Sequence, residues 1–578
     1  MSVKDGNITI AADSVYSYTK AFDALLEDDS VEDDFSASGK DVFRESPVDD
    51  FVYVDYTEGK VYSEKPPVAS VKIMGTELSE YTIVYDKDVA GYRLNEEYAA
   101  QQLGKYLELA TGIALPVVTD DTEPSKYEIV VGITDRSEVD VSSYGKEGFV
   151  IKTEGDKLII AGGEERGTLY GVYTFLENYI GCRFFAEDCE IIYKAEDINI
   201  EDGLFDEQIP TMEYRDTNET IYQGGGEIAS KRKINSSYTR AMKYTQGSSF
   251  DFAGSAFVHT MGTLFELGSS DRQPCLTDED IYQKTLDKAR KIMKANPNAE
   301  IISITQNDNN NPCPCKECGL INTEEGSRAG TLIRFINRLA TELEDEFPDF
   351  KILTLAYMFS YEAPKTAPHE NVIIQLCSLD ACCGHPLCDL SCSTNQEFRR
   401  NIKDWSALTD NLYVWYYVVE FTGNAKNAPF MNFNSLYDTY ELFRSYGVKG
   451  VFNEGNMVTT SREFGYLRAY LLSKLMWDAD MTREEYDQYI REFITAYYGE
   501  ASDVVEEYFY MMAEYADGRH FEQYAGFNGM YDLNRLSQTK GELADWWVKL
   551  SDFEFTHPET KNHVGLLKKG FDEVNRNT

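Results

Sequence analysis

Apolar runs of strand length alternate with amphipathic stretches of helical length through the middle of the chain. We count eight apolar runs between residues 211 and 460, at 211–216, around 234, and at 255–261, 300–308, 351–359, 371–379, 411–421 and 448–456. Stretches such as 330–347 and 433–447 place apolar residues at helical spacing between them. Eight strand–helix units in about 250 residues predict a (β/α)8 TIM-type barrel, although a doubly wound sheet would show the same alternation.

The flanking regions have different patterns. Residues 71–205 combine strand-like runs with two amphipathic helices and predict a small α/β domain, which an acidic linker ending at Pro210 separates from the barrel. Residues 1–70 are acidic and weakly patterned, which predicts an N-terminal arm with short strands. Residues 461–578 are predicted to be helical. The predicted fold class is therefore α/β, with a barrel over 211–460 between the small domain and a helical C-terminal region.

Acidic residues greatly outnumber basic ones. The chain of 578 residues has 99 Asp and Glu against 55 Lys and Arg, a formal charge of −44. This charge argues against nucleic acid and anionic membrane surfaces, which bind cationic faces. No apolar run reaches about 18 residues, so no membrane insertion is expected. The first residues lack an apolar signal core, so we expect either an extracellular or cell-surface protein whose signal peptide was removed, or a cytoplasmic one.

Two carboxylic acids at the ends of predicted strands are the leading catalytic candidates. Asp308 ends the fourth apolar run, and Glu454 lies near the end of the eighth, beside Gly455. Side chains at the carboxyl ends of barrel strands face the active site, so both acids are expected at one mouth. Two carboxyl groups at one sugar are what glycoside hydrolysis requires. Alternatively, Asp308 caps a loop of asparagines and Glu454 is a salt-bridged residue at the rim.

Other polar and aromatic residues near the strand ends are candidate substrate-binding residues. They are His259, Asn307, His385, Trp415, Tyr417, Glu420 and Asn453. Aromatic rings suit the apolar faces of pyranose sugars, but core packing accounts for such residues equally well. Because side chains alternate along a strand, some of the three aromatic residues at 415–417 are expected to point inward.

Eight of the eleven cysteines fall between residues 313 and 392. Cys313, Cys315 and Cys318 form a Cys-x-Cys-x-x-Cys run, and a second group consists of Cys377, Cys382, Cys383, Cys388 and Cys392 with His385 among them. The two groups could hold structural zinc, although the second lacks the usual finger spacing, and disulfide bonds between the two loops are the favoured alternative in an exported protein. Neither arrangement makes the thiols catalytic.

Several enzyme classes that are defined by motifs are not supported. The sequence has no phosphate-binding loop, no G-x-G-x-x-G turn after a strand, no G-x-S-x-G elbow and no H-E-x-x-H helix. Nucleotide-dependent enzymes, serine hydrolases and zinc proteases of those types are therefore not expected, and no cofactor is predicted.

Several segments of the chain resemble known glycosidase families. Residues 127–137 and 158–185 resemble the small N-terminal domain carried by α-glucuronidases and β-hexosaminidases. Five segments farther along resemble the barrel and helical tail of glycoside hydrolase family 163, namely 273–286, 302–318, 382–405, 448–456 and 467–501. That resemblance implies an endo-β-N-acetylglucosaminidase that acts on complex N-glycans.

The resemblance to family 163 also implies a retaining mechanism in which the substrate's own acetamido group takes part. The acid after the fourth strand corresponds to Asp308, and the acid of the Phe-Asn-Glu-Gly segment corresponds to Glu454. Asp308 is the first candidate for the proton donor, because barrel glycosidases often place that acid after the fourth strand. Its neighbour here is Asn307 rather than a second acid, so the group that polarises the acetamido must come from elsewhere.

Three hypotheses follow from the sequence. The first is a glycosidase that cleaves next to N-acetylglucosamine, with a glycan or glycoprotein as substrate. The second is an α-glucuronidase-like enzyme, which would need a cationic pocket for a uronic acid, supplied by Arg215, Arg232 and Arg240 near the early strands. The third is a carbohydrate-binding protein that keeps the barrel but has no activity.

Overall fold

The computed structural model describes residues 2–4, 7–9, 50–55, 57–88, 95–163, 166–223, 227–235, 250–268, 271–421, 429–455, 464–525, 529–531, 545–546, 548–551 and 553–577. These residues form a mixed α/β fold. Small sheets dominate the first 208 residues, a parallel sheet with helices follows, and the last described part is helical. No helix in the described part of the chain is long and apolar enough to cross a membrane.

The N-terminal module is built around a six-stranded mixed sheet. In spatial order its strands are Phe205–Gln208, Phe149–Glu154, Lys157–Gly162, Glu128–Val131, Thr82–Tyr85 and Val117–Thr119. Helices Asn95–Thr111 and Gly167–Phe175 pack on it, and Leu176–Ile180 continues the second helix with wider turns. A Cβ atom added to Gly162 would lie 2.2 Å from the carbonyl carbon of Gly167. The glycines of this segment therefore allow the close contact between strand and helix.

Three smaller sheets complete the first part of the chain. A four-stranded antiparallel sheet contains Cys182–Ala186, Cys189–Tyr193, Phe51–Asp55 and Lys60–Val61. A three-stranded sheet contains Ile198–Ile200, Val71–Ile73 and Thr76–Glu77, and a two-stranded one contains Ser2–Lys4 and Asn7–Thr9. Residues 51–61, which the sequence analysis assigned to an N-terminal arm, thus pair with strands of the module.

A six-stranded parallel sheet forms the centre of the molecule. Its strands are Tyr214–Thr217 (β1), Ile301–Ser303 (β2), Lys351–Ala356 (β3), Val372–Cys377 (β4), Leu412–Tyr417 (β5) and Gly450–Glu454 (β6). The spatial order is β1-β6-β5-β4-β3-β2, and every neighbouring pair is parallel. Six of the eight predicted strands therefore form a parallel half-barrel, and the complete eight-stranded barrel stays a prediction.

Irregular backbone links β1 to β2 where two further strands were predicted. The Asn235 N–H donates to the Arg215 carbonyl at 3.2 Å, the Phe250 N–H donates to the Asn235 carbonyl at 3.0 Å, and Phe252 forms a parallel bridge with Ile301. Residues 255–261 form no ladder strand, so the prediction of a strand there is wrong, whereas the strand predicted around 234 extends into residues 236–249, outside the described residues.

Hydroxyl side chains replace a ladder along residues 257–261. Ser303 Oγ donates to the Phe257 carbonyl at 2.7 Å, and the Thr260 hydroxyl accepts from the Thr305 N–H at 2.9 Å. Short side chains that bond the backbone compete with strand formation, and here they favour the helical turn Thr260–Thr263. The segment therefore lies beside β2 without joining the sheet.

Helices surround the parallel sheet and form the C-terminal region. Those next to the sheet are Glu279–Ala295, Lys316–Glu325, Ala329–Leu343, Gln396–Ser406 and Phe433–Ser445, with short turns at Thr220–Gln223 and Glu227–Lys231. Those of the C-terminal region are Gly465–Trp477, Arg483–Tyr498, Ser502–Ala516 and Pro558–Asn577. Asp278 caps the first helix through its side chain, and Thr482 and Glu485 form a capping box.

The N-terminal module contacts the amino end of the parallel sheet through buried ion pairs. Arg215 on β1 pairs with Glu147, and the Glu177 carboxylate lies 3.1 Å from Lys474 Nζ and 3.7 Å from Lys233 Nζ. These charges are buried at the contact between the module, the barrel and the helix Gly465–Trp477. Together they connect the module to the amino end of the sheet, whereas the loops after the strands lie at the carboxyl end.

Candidate active site

The inner face of the parallel sheet is lined by apolar and aromatic side chains at alternate positions. These are Tyr214, Ile301, Leu353, Leu355, Ile373, Cys377, Tyr413, Trp415, Tyr417 and Phe452. Glu454 follows Phe452 by two positions on β6, so its side chain points to the same face. The inner core therefore ends in a carboxyl group at the carboxyl end of β6.

Glu454 is a half-buried acid that pairs with no cation among the described residues. Trp415 Nε1 donates to Glu454 Oε2 at 2.8 Å, which is the only side-chain hydrogen bond that the described residues give this carboxylate. Burial raises the pKa of Glu454. The Trp415 hydrogen bond opposes this shift, and the negative charge of Asp308 raises the pKa further. Glu454 is thus a carboxyl group that holds its proton to a higher pH than an ordinary glutamate.

Asp308 lies in a group of three polar side chains at the end of β2. Tyr357 donates its phenolic proton to Asp308 Oδ1 at 3.0 Å, and His259 Nε2 lies 3.9 Å from the same oxygen. His259 Nδ1 is 2.9 Å from the Gln306 carbonyl, which fixes the ring. Its φ of 53° is in the left-handed region, which is uncommon outside glycine and occurs at functional sites. The Asp308 side chain is 63% exposed, so this carboxylate faces solvent.

The two acids interact through space. The Asp308 charge raises the pKa of Glu454, and both acids add to the effect of burial in raising the pKa of Cys377, which lies between them on β4. Both also raise the pKa of the exposed Tyr524, where burial is again the larger cause. Asp308 and Glu454, which come from distant parts of the chain, therefore lie near enough to influence the pKa of the same groups.

Aromatic rings extend from the inner core to the surface beside Glu454. Phe257 stacks on Trp415 at 5.7 Å, and Tyr417 lies 6.3 Å from Trp415. Phe421 contacts Tyr417 at 6.1 Å and continues to Tyr524 at 5.3 Å. Phe421 and Tyr524 are 38% and 54% exposed, so the two rings in contact present an aromatic surface to solvent.

A cavity reaches Tyr357, the hydrogen-bond partner of Asp308. Its volume is about 340 Å³, and it is lined by residues at the carboxyl ends of β2, β3 and β4 and in the following loops and helix, among them Asn310, Tyr357, Cys377, Asp380 and Glu397. Ligand pockets of α/β proteins lie at such strand ends. The arrangement offers two carboxyl groups, aromatic surfaces and an adjoining cavity.

The structure brings some of the predicted substrate-binding residues to this space and leaves others away from it. His259, Trp415 and Tyr417 lie beside the two acids. Asn453 does not, because it alternates with Glu454 and points outward, where Tyr440 donates to its Oδ1 at 2.9 Å. Adjacent positions of a strand face opposite sides, so only one of the two could reach the interior.

Asn307, Glu420 and His385 also lie away from the acids. Asn307 is buried, and its Nδ2 donates to the Arg272 carbonyl at 2.9 Å, so it holds a loop. Glu420 is 1% exposed, which leaves it no surface for a substrate. His385 lies in the loop after β4 with Cys382, whose sulfur is 3.3 Å from His385 Nδ1.

The cysteines form no disulfide bond. All eleven lie in the described residues and all are free thiols. Cys313, Cys315 and Cys318 gather with Cys275, while Cys382 gathers with Cys392 and two histidines. The loops after β2 and β4 therefore use separate partners, which contradicts the alternative of disulfide bonds between them.

The arginines of the glucuronidase hypothesis do not reach the acids. Arg215 is fully buried and donates to the Lys233 carbonyl, and Arg232 donates to the Phe185 carbonyl and stacks 3.9 Å over the Tyr470 ring. Arg240 lies outside the described residues. The two described arginines connect the N-terminal module to the amino end of the sheet and are not available to a ligand at its carboxyl end.

Sequence reasoning missed four residues that the structure adds to the site, namely Tyr357, Phe257, Phe421 and Tyr524. Tyr357 follows β3 directly, at the position where barrel strands present functional groups, and that signal was available. Tyr524 comes from the segment after helix Ser502–Ala516, far along the chain, and no local pattern indicates it.

Comparison with solved structures defines the class of fold. The chain is similar to a family GH115 4-O-methyl-α-glucuronidase with specificity for decorated arabinogalactans, with a TM-score of 0.55 and 12% identity over 88% of this chain and 72% of that chain. Two β-N-acetylhexosaminidases have lower TM-scores. The GH20 enzyme of Streptomyces coelicolor A3(2) gives 0.40 at 12% identity, covering 74% and 92% of the two chains. The enzyme of Bacteroides fragilis gives 0.39 at 14%, covering 78% and 96%.

Family models then define the chain more closely. Residues 184–510 match the domain of unknown function DUF4838, and the chain belongs to that family. Residues 87–175 match the N-terminus of glycosyl hydrolase family 67. No curated protein matches the chain.

Proposed function

We propose that the protein is a glycoside hydrolase whose catalytic groups are Asp308 and Glu454. The observation that carries the proposal is the pair of carboxyl groups in unlike surroundings that share one space, one exposed and one half-buried with a raised pKa. Glycosidases need one carboxyl group that donates a proton and a second that stays ionised, and their surroundings set the two roles.

In the proposed mechanism Glu454 is the proton donor. Its raised pKa keeps the proton on the carboxyl group to a higher pH than in an ordinary glutamate, and the Trp415 indole orients the carboxyl group. Asp308 is exposed and accepts a hydrogen bond from Tyr357, so its carboxylate is oriented toward the same space. These roles reverse the first expectation from the sequence, in which Asp308 was the donor.

The proposed substrate carries β-linked N-acetylglucosamine, as in complex N-glycans, and its acetamido group takes part in a retaining reaction. Glu454 gives its proton to the glycosidic oxygen as the bond from that oxygen to C1 breaks, and the acetamido carbonyl oxygen bonds to C1. Asp308 accepts a hydrogen bond from the acetamido N–H and so stabilises the resulting cation. Water then attacks C1, loses a proton to Glu454 and restores the acetamido group.

We also propose that the half-barrel is closed into a complete barrel. Asn235 and residues 250–252 stand where the second and third strands would lie, and their backbone hydrogen bonds connect β1 to β2. A closed barrel would direct Asp308 and Glu454 from opposite parts of its wall toward one mouth.

An α-glucuronidase-like activity is the second candidate. It is favoured by the match of residues 87–175 to the family 67 N-terminus and by the fold shared with an α-glucuronidase. A uronic acid would need a cation, and neither Arg215 nor Arg232 reaches the acids. His259, beside Asp308, is the one described side chain at the site that could become cationic.

Activity assays on matched substrates test the proposal. The wild-type protein and the variants Asp308→Asn and Glu454→Gln are compared on a complex-type glycoprotein, an aryl β-N-acetylglucosaminide and glucuronoxylan, with the exposed Glu362→Gln as control. We expect release of N-acetylglucosamine-linked product by wild type and control, and a loss of about 10²–10⁴-fold in both site variants.

Other outcomes separate the alternatives. Release of uronic acid alone would favour the glucuronidase. Glycan binding without turnover on any substrate would identify a carbohydrate-binding protein. Full activity in both site variants would place the reaction elsewhere on the molecule.

A further inference from the structure

Three groups of side chains that could bind a metal lie outside the proposed active site in the described part of the chain, and two of them contain cysteines. Of these two, the first contains Cys275, Cys313, Cys315 and Cys318, and the second contains Cys382, His385, Cys392 and His520. Within each group, one ligand atom from every residue lies within 4.8 Å of all the others. Each of the two cysteine groups thus offers four soft or borderline ligands around one point, which is the number that a structural zinc site uses.

The spacing in the four-cysteine group matches a tetrahedron. The sulfur of Cys275 lies 3.7 Å from that of Cys315 and 3.9 Å from that of Cys318. Zinc–sulfur bonds of about 2.3 Å in a tetrahedron place neighbouring sulfurs about 3.8 Å apart. A disulfide bond would need about 2.05 Å. The sulfurs are therefore arranged around a central point rather than in bonded pairs.

The local backbone of the four-cysteine group supports thiolate ligands. Cys315 is the N-cap of helix Lys316–Glu325, and its sulfur accepts the Cys318 N–H at 3.4 Å. The Thr277 hydroxyl lies 3.4 Å from the Cys318 sulfur and 3.3 Å from that of Cys275. Hydrogen bonds to the sulfurs stabilise the deprotonated form that binds a metal.

The second group has the spacing of a mixed sulfur and nitrogen site. Cys382 Sγ is 3.3 Å from His385 Nδ1, and Cys392 Sγ is 3.5 Å from His520 Nδ1. Tetrahedral zinc with sulfur at about 2.3 Å and nitrogen at about 2.05 Å places these atoms about 3.6 Å apart. The centroids of the two imidazole rings lie 4.3 Å apart, and one nitrogen of each ring lies within 4.8 Å of both sulfurs. A disulfide bond between the cysteines would leave this convergence of histidines unexplained.

We propose that the protein binds two structural zinc ions, one at the four-cysteine site and one at the site of two cysteines and two histidines. Each site has four protein ligands and no open position, which is typical of structural rather than catalytic zinc. The inference stands independently of the proposed function.

The four-cysteine site fastens the loop that carries Asp308. Cys313 follows Asp308 by five positions, and Cys275 lies in the segment whose Gln273 donates to the carbonyls of Asn307 and Asn309 at 2.8 and 2.9 Å. A metal there would hold both segments against each other, so the loop would keep one geometry. A long loop after a short strand needs such a restraint.

The second site fastens the segment that carries Tyr524. His520 is the ligand from that segment, and beside it the Cys383 N–H donates to the Phe521 carbonyl at 2.7 Å. A Cβ atom on Gly384 would lie 2.3 Å from the Arg519 carbonyl oxygen, so the two chain segments are in close contact. A metal would hold the C-terminal segment on the loop after β4, and with it the exposed rings beside Glu454.

Metal analysis of the purified full chain tests the proposal. The protein, produced with zinc supplied and purified under reducing conditions, is measured by elemental mass spectrometry together with Cys318→Ser, His520→Ala and the control Cys388→Ser, a cysteine outside both groups. We expect about two zinc ions per chain in wild type and control, and about one in each site variant. Wild-type protein that contains no zinc and takes up none on titration would overturn the proposal.

Cobalt substitution gives a second test that needs no variant. Wild-type protein refolded or exchanged with cobalt(II) should show the absorption of tetrahedral cobalt and a sulfur-to-cobalt charge-transfer band. Octahedral cobalt spectra would contradict the assignment, as would peptide mass spectra of native protein showing a disulfide bond within either group. Because this test uses wild-type protein, it still decides the question if one of the variants fails to fold.

Discussion

An acidic side chain with little exposed surface lies toward each end of the parallel sheet, but the two side chains have opposite surroundings. At the amino end, Glu177 is 5% exposed and lies among Lys474, Lys233 and Arg183. At the carboxyl end, Glu454 has an indole as its hydrogen-bond partner and a second acid nearby. Both are glutamates with little exposed surface, so the difference arises from their neighbours.

The pKa values show the consequence. Burial would raise the pKa of Glu177, but the charges of Lys474, Lys233 and Arg183 outweigh it and lower the pKa to about 2. Burial raises the pKa of Glu454, and Asp308 adds to the increase. A buried acid among cations holds a structure together, whereas a buried acid without one keeps a proton that it can give away.

Removing the acid at the carboxyl end should give the largest effect. Glu454→Gln keeps the size and the hydrogen-bond acceptor for Trp415 but cannot donate a proton as an acid. We expect turnover of an N-acetylglucosaminide to fall by about 10²–10⁴-fold. The thermal midpoint should stay equal or rise, because a half-buried carboxyl group without a cation is removed. A lower midpoint together with unchanged turnover would make Glu454 structural.

Removing the acid at the amino end should affect stability instead. Glu177→Gln leaves Lys474 and Lys233 as buried cations without their partner, which costs about 3–5 kcal/mol of unfolding free energy. Denaturant titration measures this loss, and the KM of the folded enzyme should not change. The exposed pair of Lys152 and Glu154 gives the control, since Glu154→Gln should change stability by no more than about 0.5 kcal/mol. Equal changes in stability and in turnover for Glu177→Gln and Glu454→Gln would contradict the contrast between the two ends of the sheet.

The pH dependence of stability should have opposite signs for the two acids. Folded Glu454 holds its proton more tightly than the unfolded chain does, so the folded state loses stability as pH rises from about 4.5 through the raised pKa. Glu454→Gln should therefore gain stability over wild type only above about pH 4.5. The pKa of Glu177 is lowered to about 2, so its contribution is complete above 4.5 and disappears as pH falls toward 2.

Thermal melts of wild type and both variants across this range measure the two dependences. The difference between wild type and Glu177→Gln should shrink as the solution is acidified, while that between wild type and Glu454→Gln should vanish in acid and grow toward neutrality. Parallel curves for the two variants would contradict the assignment of opposite shifts.

The smallest expected effect concerns the indole that contacts Glu454. The Trp415 hydrogen bond opposes the rise in pKa of Glu454, so Trp415→Phe should move the alkaline limb of the kcat/KM profile to higher pH. Removing one hydrogen bond to a carboxylate changes its energy by about 1.5–3 kcal/mol at most. Trp405→Phe is the matched control, because that buried indole donates to the Tyr361 carbonyl and to neither acid. A profile unchanged by Trp415→Phe would argue against Glu454 as the donor.

The parts of the site that could be predicted are those encoded by local pattern. Apolar runs located all six strands of the parallel sheet, and the candidate acids Asp308 and Glu454 were chosen from the ends of two of these runs. The run at 255–261 was wrongly predicted to be a strand. The hydroxyls of Ser303 and Thr305, about 45 positions away, form hydrogen bonds with its backbone, and the segment does not join the sheet. Asn453 was expected beside Glu454 at the site, but adjacent positions of β6 face opposite sides, and packing against Tyr440 decided which of the two points outward.

The sequence by itself determined the alternation of strands and helices, the acidity of the surface and the acids and cysteines that follow the strands, because these depend on spacing along the chain. The tertiary structure alone decided which residues share a space. It joined Cys275 to the run at 313–318, and His520 to the loop after β4, across more than a hundred positions in the second case. It also decided the state of each acid, because a pKa depends on the charges and burial that packing brings from distant parts of the chain.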